Sequence, residues 1–190
     1  VRGFGGEVAM TRPDHRSGTD RVAEAATSLK ADLIVNVQGD EPEMESEAID
    51  RLIEMMIDRP DVPIGSVACR FTNKTDVLNP ACVKVVLDQD GNALYFSRSL
   101  VPYPRDAKGE IEDPARWLLH LGIYAYRPDF LQALMRTPPS QLEQIEQLEQ
   151  LRVLQMGRKI AIVVVERSST GIDTPEQYAA FVSRYRGRKS

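Results

Sequence analysis

The sequence predicts an α/β domain of three layers, Rossmann-like, with a mixed sheet and a central hairpin insertion. Three observations predict it. Residues 33–37 (Leu-Ile-Val-Asn-Val) and 160–165 (Ile-Ala-Ile-Val-Val-Val) are compact β-branched runs, the composition of strands buried on both faces. Helical patterns with start signals alternate with such runs at both ends of the chain. In the middle, residues 83–87 and 93–97 flank Asp88-Gln89-Asp90-Gly91-Asn92, and Asp-Gly between two apolar runs is a strong hairpin signal. With 190 residues and 42% hydrophobic content, the chain can fill one core, so residues 1–190 are read as a single domain.

The elements follow in order. Residues 6–10 (Gly-Glu-Val-Ala-Met) have the pattern of a short strand entered from a glycine turn. Ser17-Gly18-Thr19-Asp20 opens a helix whose apolar face carries Val22, Ala23, Ala25, Ala26 and Leu29. The strand at 33–37 ends in Gln38-Gly39-Asp40-Glu41-Pro42. A helix over 45–58 then places Ile49, Leu52, Ile53, Met56 and Ile57 on one side. Residues 64–69 form another strand, followed by the hairpin, and Pro102 and Pro104 break regularity after it. A strand over 118–126 and a helix over 128–135 come next. Ser140 with Glu143 makes a capping box for a helix running to Met156, with Gly157 as its stop. After the strand at 160–165, Thr174-Pro175-Glu176-Gln177 is a second capping box with proline at the first helical position. Its helix carries Tyr178, Phe181, Val182 and Tyr185, and the tail from Arg186 is expected to fray.

A net charge of −4 argues against a broad nucleic-acid surface, which is normally basic. Anionic substrates remain compatible with it if cations and metal gather in one cleft. Cys69 and Cys82 have no metal-ligand spacing and are read as reduced, packed thiols. No apolar run is long enough to span a bilayer, and residues 1–7 contain no signal-peptide core, so no membrane is expected and the cytoplasm is the expected compartment.

The sharpest chemical feature is the strand end at Gln38-Gly39-Asp40. Ligands of open α/β sheets sit beyond the carboxyl ends of strands, and a carboxylate there suits Mg2+, which takes carboxylate and phosphate oxygens. Asp40 can equally be a turn residue capping the next helix. Asp173, in Gly171-Ile172-Asp173-Thr174-Pro175 after the other buried run, can reach the same sheet edge or serve as an ordinary helix-entry residue. Free N–H groups and a hydroxyl at Ser17-Gly18-Thr19-Asp20-Arg21 suit a phosphate or nucleotide, or simply cap the helix. His120, on an otherwise apolar strand, reads first as structural. With Arg98, Glu149 and Gln150 it makes a polar lining for a hydroxyl-rich ligand bearing a carboxylate. The sequence holds no P-loop, no G-x-G-x-x-G and no zinc spacing, and no Ser/His/Asp triad is apparent, so covalent catalysis is not favoured.

These segments occur in a fixed order: Ser17-Gly18-Thr19-Asp20-Arg21, Val37-Gln38-Gly39-Asp40-Glu41-Pro42, residues 93–98, His120-Leu121-Gly122-Ile123-Tyr124, Leu148-Glu149-Gln150-Leu151-Arg152 and Gly171-Ile172-Asp173-Thr174-Pro175. On them, over about residues 6–185, the chain resembles the 3-deoxy-D-manno-octulosonate cytidylyltransferases, or CMP-Kdo synthetases. The resemblance implies a nucleotide-diphospho-sugar-transferase-like fold and the reaction of CTP with Kdo to give CMP-Kdo and pyrophosphate, for lipopolysaccharide. It implies that Asp40 and Asp173 bind Mg2+ and are the catalytic carboxylates. By the same resemblance Gln38, Arg98, His120, Tyr124, Glu149 and Gln150 bind the sugar, and Ser17, Gly18, Thr19 and Arg21 face the nucleotide. It also implies a homodimer with the hairpin region near its interface.

The family opens with a strand and a phosphate-wrapping loop of approximate form Pro-Ala-Arg…Arg-Leu-Pro-Gly-Lys. Residues 1–10 match a later point, so the domain is expected to lack that strand and loop, and the 190-residue chain alone is expected to show no turnover. A transferase for another acidic sugar, amino-substituted Kdo or a sialic-acid-like one, and a non-catalytic fragment are the alternatives.

Overall fold

The structure is a computed structural model and describes residues 1–15, 17–37, 46–166, 178–179, 182–183 and 185. Among these described residues, six strands form one mixed sheet: β1 (Ile34–Asn36), β2 (Ile64–Arg70), β3 (Lys84–Leu87), β4 (Ala93–Ser97), β5 (Leu118–Tyr126) and β6 (Ile160–Val165). Their order is β4-β3-β5-β2-β6, with β1 also paired to β5. β2 and β6 run parallel, whereas β1, β2 and β3 each run antiparallel to β5.

The long strand β5 is the axis of the sheet. Along one edge it pairs with β2 throughout. Its other edge is shared: β3 meets Leu118 and Leu119, and β1 meets Tyr124–Tyr126. The break between these partners falls at residues 120–123. There the register against β2 also shifts, Ser66 facing Tyr124 while its neighbour Val67 faces Leu121. β1 therefore ends half-way along the sheet, beside this break.

Helices cover both faces. α2 (Ser46–Asp58) buries Ala48, Leu52 and Met56 against Val67, Cys69, Leu121, Ile123, Ala125 and Val165. The contact is tight at Gly65, where an added Cβ would stand 2.7 Å from both Met55 Cε and Met56 Sδ. On the opposite face lie α1 (Gly18–Ala26), α4 (Pro128–Arg136), α5 (Gln141–Glu146) and α6 (Gln150–Gln155), over a core including Ile64, Ala68, Phe96, Leu131, Leu151 and Ile160. A short α3 (Lys74–Leu78) buries Val77 with Phe71, Ile111 and Trp117 under the insertion. The expected three layers, mixed sheet and central hairpin are all present. Among the described residues no helix is long and apolar enough to cross a membrane.

Three expectations need correction. Residues 6–10 form no strand; their alternation finds no neighbour among the described strands, and Arg2–Phe4 instead form a 3-10 turn. The single helix expected from Ser140 to Met156 is two helices, because Gln147 adopts a left-handed conformation (φ 54°, ψ 48°). Leu29 lies beyond the end of α1 and is exposed. The helix expected after Thr174 falls largely outside the described residues; those described within it are helical.

Candidate active site

The helix starts are built as the sequence suggests. Ser17 caps α1, its hydroxyl accepting from Asp20 N–H while the Asp20 carboxylate accepts from Ser17 N–H, each at 3.2 Å. Gly18 is exposed, with open space where a Cβ would stand. Thr19 turns inward and donates to Glu149 Oε2 at 2.6 Å, tying the α1 entry to the start of α6. Arg21 turns back on its own chain, donating to the carbonyls of Arg12 and Pro13 and to the Thr11 hydroxyl. Its guanidinium thus holds residues 11–13 in place.

Of the residues expected to bind the sugar, His120 and Tyr124 lie on β5 beside its break. His120 packs edge-on against Phe96, ring centroids 4.9 Å apart, and lies 5.4 Å from Tyr124, which lies 5.8 Å from Tyr126. Ser66, fully buried on β2, places its hydroxyl 2.9 Å from His120 Nε2 and 2.7 Å from the Ile123 carbonyl. A serine has one proton to donate. If it goes to the closer Ile123 carbonyl, His120 carries its hydrogen on Nε2 and keeps Nδ1 as an acceptor. Desolvation lowers the His120 pKa to about 3. The imidazole is therefore neutral at pH 7, a hydrogen-bonding group rather than a charge partner for an anion. Burial raises the pKa of both Tyr124 and Tyr126, with Glu149 adding to the shift in each case, so both phenols stay protonated.

Glu149 is exposed at the head of α6, whereas Gln150, the next residue, is buried and its Nε2 has no hydrogen-bond partner among the described residues. A buried amide donor without a partner costs free energy unless a ligand or water meets it. Arg98, half-buried after β4, sends Nε to the Glu146 carbonyl (2.7 Å), Nη1 to the Pro80 carbonyl (3.0 Å) and Nη2 to the Gln147 carbonyl (3.3 Å). Among the described residues, one N–H on each terminal nitrogen meets no acceptor, the number a bidentate carboxylate contact uses. A neighbouring cleft of about 520 Å3 opens between the α1 entry, the end of α4 and the α5–α6 joint, lined by Ser17, Asp20, Glu149 and the Glu143–Arg152 ion pair among others.

Gln38, Asp40 and Asp173 lie outside the described residues. Among those described, no group of three or more His, Cys, Asp or Glu could hold a metal ion. The strands that lead to the two carboxylates are nevertheless informative. β1 and β2 are both antiparallel to β5, and β6 is parallel to β2, so β1 and β6 deliver the chain towards the same end of the sheet.

Sequence reasoning brought Arg98, His120, Tyr124, Glu149 and Gln150 to one region, and the structure joins Thr19 to them. It missed Ser66, Tyr126, Lys84 and Glu146. Lys84 had a signal: a lysine inside Val83-Lys84-Val85-Val86 interrupts a run that is otherwise apolar. Glu146 had none, being one acid among several on a helix with polar spacing.

A family model described as cytidylyltransferase matches residues 1–160. The 3-deoxy-manno-octulosonate cytidylyltransferase of Geobacter sulfurreducens is 47% identical over 181 residues, 92% of this chain and 72% of that protein. The chain belongs to the 3-deoxy-manno-octulosonate cytidylyltransferase family. The Escherichia coli protein of the same name is 43% identical over 175 residues, covering 92% of this chain and 69% of that protein. Among solved structures, CMP:2-keto-3-deoxy-manno-octonic acid synthetase complexed with CTP superposes with TM-score 0.87 at 40% identity, over 97% of this chain and 76% of that one. A putative glucose-1-phosphate thymidylyltransferase from Bacillus anthracis, at 14% identity and TM-score 0.60, shares the fold. The chain spans between 68% and 76% of the length of the 3-deoxy-manno-octulosonate cytidylyltransferases it matches.

Proposed function

We propose that this protein transfers CMP from CTP to the anomeric hydroxyl of Kdo, releasing pyrophosphate and supplying CMP-Kdo for lipopolysaccharide. The observation that carries this reading is the match, at 40% identity and TM-score 0.87, to a CMP-Kdo synthetase solved with CTP. The hydroxyl oxygen forms a bond to the α-phosphorus, the bond to the bridging oxygen breaks, and the hydroxyl proton is lost to the medium. No covalent enzyme intermediate is required.

Phosphoryl transfer depends on positioning and on charge at the phosphates. Arg98 is assigned to the sugar carboxylate, with its two spare N–H groups. His120, neutral with a pKa of about 3, is too weak a base to take the proton at neutral pH and is assigned to a sugar hydroxyl. Gln150 Nε2, buried and without a partner among the described residues, is assigned as a donor to the sugar, with Tyr124, Glu149 and Gln38 completing its hydroxyl pattern. The α1 entry at Ser17, Gly18 and Thr19 is assigned to the nucleotide side, with Arg21 bracing the segment before it. Asp40 and Asp173 are the residues that would hold Mg2+, which when bound offsets phosphate charge and acidifies the attacking hydroxyl.

We place the reaction in the cytoplasm, and read the protein as a homodimer, supported by Leu78, Leu94 and Tyr103, large apolar side chains exposed in and around the hairpin region. The test is pyrophosphate release by the full-length protein with CTP and a panel of Kdo, amino-substituted Kdo and a sialic acid. Kdo is expected to give the highest kcat/KM. A clear preference for another sugar overturns the choice of substrate, and no release with any of them overturns the activity.

A further inference from the structure

Lys84 and Glu146 stand outside the residues assigned to either substrate, yet both grip Arg98. Lys84 lies on β3 and is completely buried. Its Nζ donates to three backbone carbonyls, Arg98 at 2.6 Å, Cys82 at 2.8 Å and Asn79 at 3.1 Å, so all three ammonium hydrogens are used. Burial lowers its pKa, and the nearby Glu146 carboxylate works the other way, favouring the charged form. The ammonium makes no ion pair among the described residues. Placing a charge there costs more than an apolar side chain would at the same strand position. What that charge does is local: it holds one carbonyl of Arg98 and two carbonyls of the 79–82 turn.

Glu146 acts from the other side. Its carboxylate accepts from Arg98 N–H at 2.9 Å and from the Ser97 hydroxyl at 2.7 Å, and its own carbonyl accepts Arg98 Nε at 2.7 Å. Arg98 is thus held at its amide by Glu146 and at its carbonyl by Lys84. Its guanidinium rests on the Pro80 carbonyl, which belongs to the turn that Lys84 ties down. The loop of hydrogen bonds closes on itself and leaves the two spare N–H groups of Arg98 in one orientation.

We infer that Lys84 and Glu146 are positioning residues that fix the Arg98 guanidinium for the carboxylate of the sugar substrate. The inference rests on the assignment of Arg98 made above. A guanidinium orders a carboxylate only when its plane is fixed, because the bidentate contact has one good geometry. Releasing either peptide group of Arg98 lets that plane swing and should weaken the sugar contact while leaving the nucleotide side untouched.

The test uses Lys84→Met, Glu146→Gln, Arg98→Ala and the double variant Lys84→Met/Arg98→Ala in the full-length protein. KM for Kdo and for CTP are measured together with KM for Kdo amide, which lacks the carboxylate charge. Lys84→Met and Glu146→Gln are each expected to raise KM for Kdo about tenfold with KM for CTP within about twofold, and to leave KM for the amide nearly unchanged. The double variant is expected to match Arg98→Ala alone, since the lysine acts through the arginine. Glu146→Gln keeps the size of the side chain and reads the same effect if Lys84→Met does not fold. Equal losses for Kdo and CTP, or penalties that multiply in the double variant, would overturn the positioning role while the proposed activity stands. If Arg98→Ala leaves KM for Kdo unchanged, the assignment of Arg98 falls and the inference falls with it. An inactive parent protein sinks the proposed function itself.

Discussion

His120 shows how much a single residue's surroundings decide about its task. On the sequence it stood among candidates for holding an acidic sugar, and a histidine beside a carboxylate invites a charged reading. The structure puts it against Phe96 and Tyr124 with Ser66 at Nε2, and the ring stays neutral down to about pH 3. The sign of the stability effect follows. The unfolded chain binds a proton at this histidine below about 6.5, while the folded one does not until about 3, so the contribution is complete above 6.5 and is lost as pH falls through that window. At about pH 5 the loss is about 2 kcal/mol, from about 1.4 kcal/mol per pH unit between the unfolded value and the working pH. Urea denaturation at about pH 7.5 and about pH 5 checks it: the parent is expected to lose about 2 kcal/mol more than His120→Gln. Equal losses would mean that the imidazole protonates freely in the folded protein. Legibility at this scale was uneven for a physical reason. His120, Tyr124 and Arg98 announce themselves by residue type, whereas Ser66 matters only because the register shift of β5 puts Ile123's carbonyl and the imidazole around its hydroxyl.

At the scale of elements, the sequence was most readable where local chemistry and tertiary packing agree. The capping box read at Ser140 forms, Ser17 caps α1 as its alternative reading allowed and adds a reciprocal bond with Asp20, and the Asp-Gly hairpin closes with Asp88 accepting from Asn92. β5 covers residues 118–126 as its apolar run suggested. The break at Gln147 was not readable. Leu142, Ile145, Leu148 and Leu151 keep helical spacing across it, and glutamine carries no preference for left-handed backbone. The break is imposed from outside, by β4 and the segment after it: Ser97 and Arg98 fasten both the carboxylate and the carbonyl of Glu146. Substitution at this joint therefore reverses the usual helix scale. Inside a helix alanine is favoured over glycine by about 1 kcal/mol. A left-handed residue with a Cβ costs roughly 1–2 kcal/mol that glycine does not. Gln147→Gly is expected to be more stable than Gln147→Ala by about 1 kcal/mol in chemical denaturation. The opposite order would mean that 141–155 is one helix in solution.

The whole molecule explains why carboxylates far apart in sequence belong to one reading. Asp40 follows the end of β1 by four residues and Asp173 follows the end of β6 by eight. The two strands run in the same direction, separated in the sheet by β5 and β2, a span of about 14 Å at the usual strand spacing. Eight residues of extended chain can cover more than that distance. Their position beyond strand ends was legible from one sequence because buried β-branched runs are conspicuous. That β1 and β6 share a direction was not, since it is set by the pairing of β1 with β5, of β5 with β2 and of β2 with β6. If the two carboxylates serve one magnesium ion, they act as a unit, and removing either should cost nearly all that removing both costs. Asp40→Asn and Asp173→Asn in the full-length protein are each expected to abolish measurable pyrophosphate release with CTP and Kdo while leaving the thermal unfolding midpoint within a few degrees of the parent, about 2–4 °C per kcal/mol at this size. The double variant is expected to be little worse than either single one. Residual rates high enough to measure, falling in the double variant by the product of the two single losses, would assign the carboxylates separate tasks. Near-normal turnover of Asp40→Asn across a magnesium titration would remove the metal from Asp40 altogether, and the strand-end reading of this sheet would have to move to another edge.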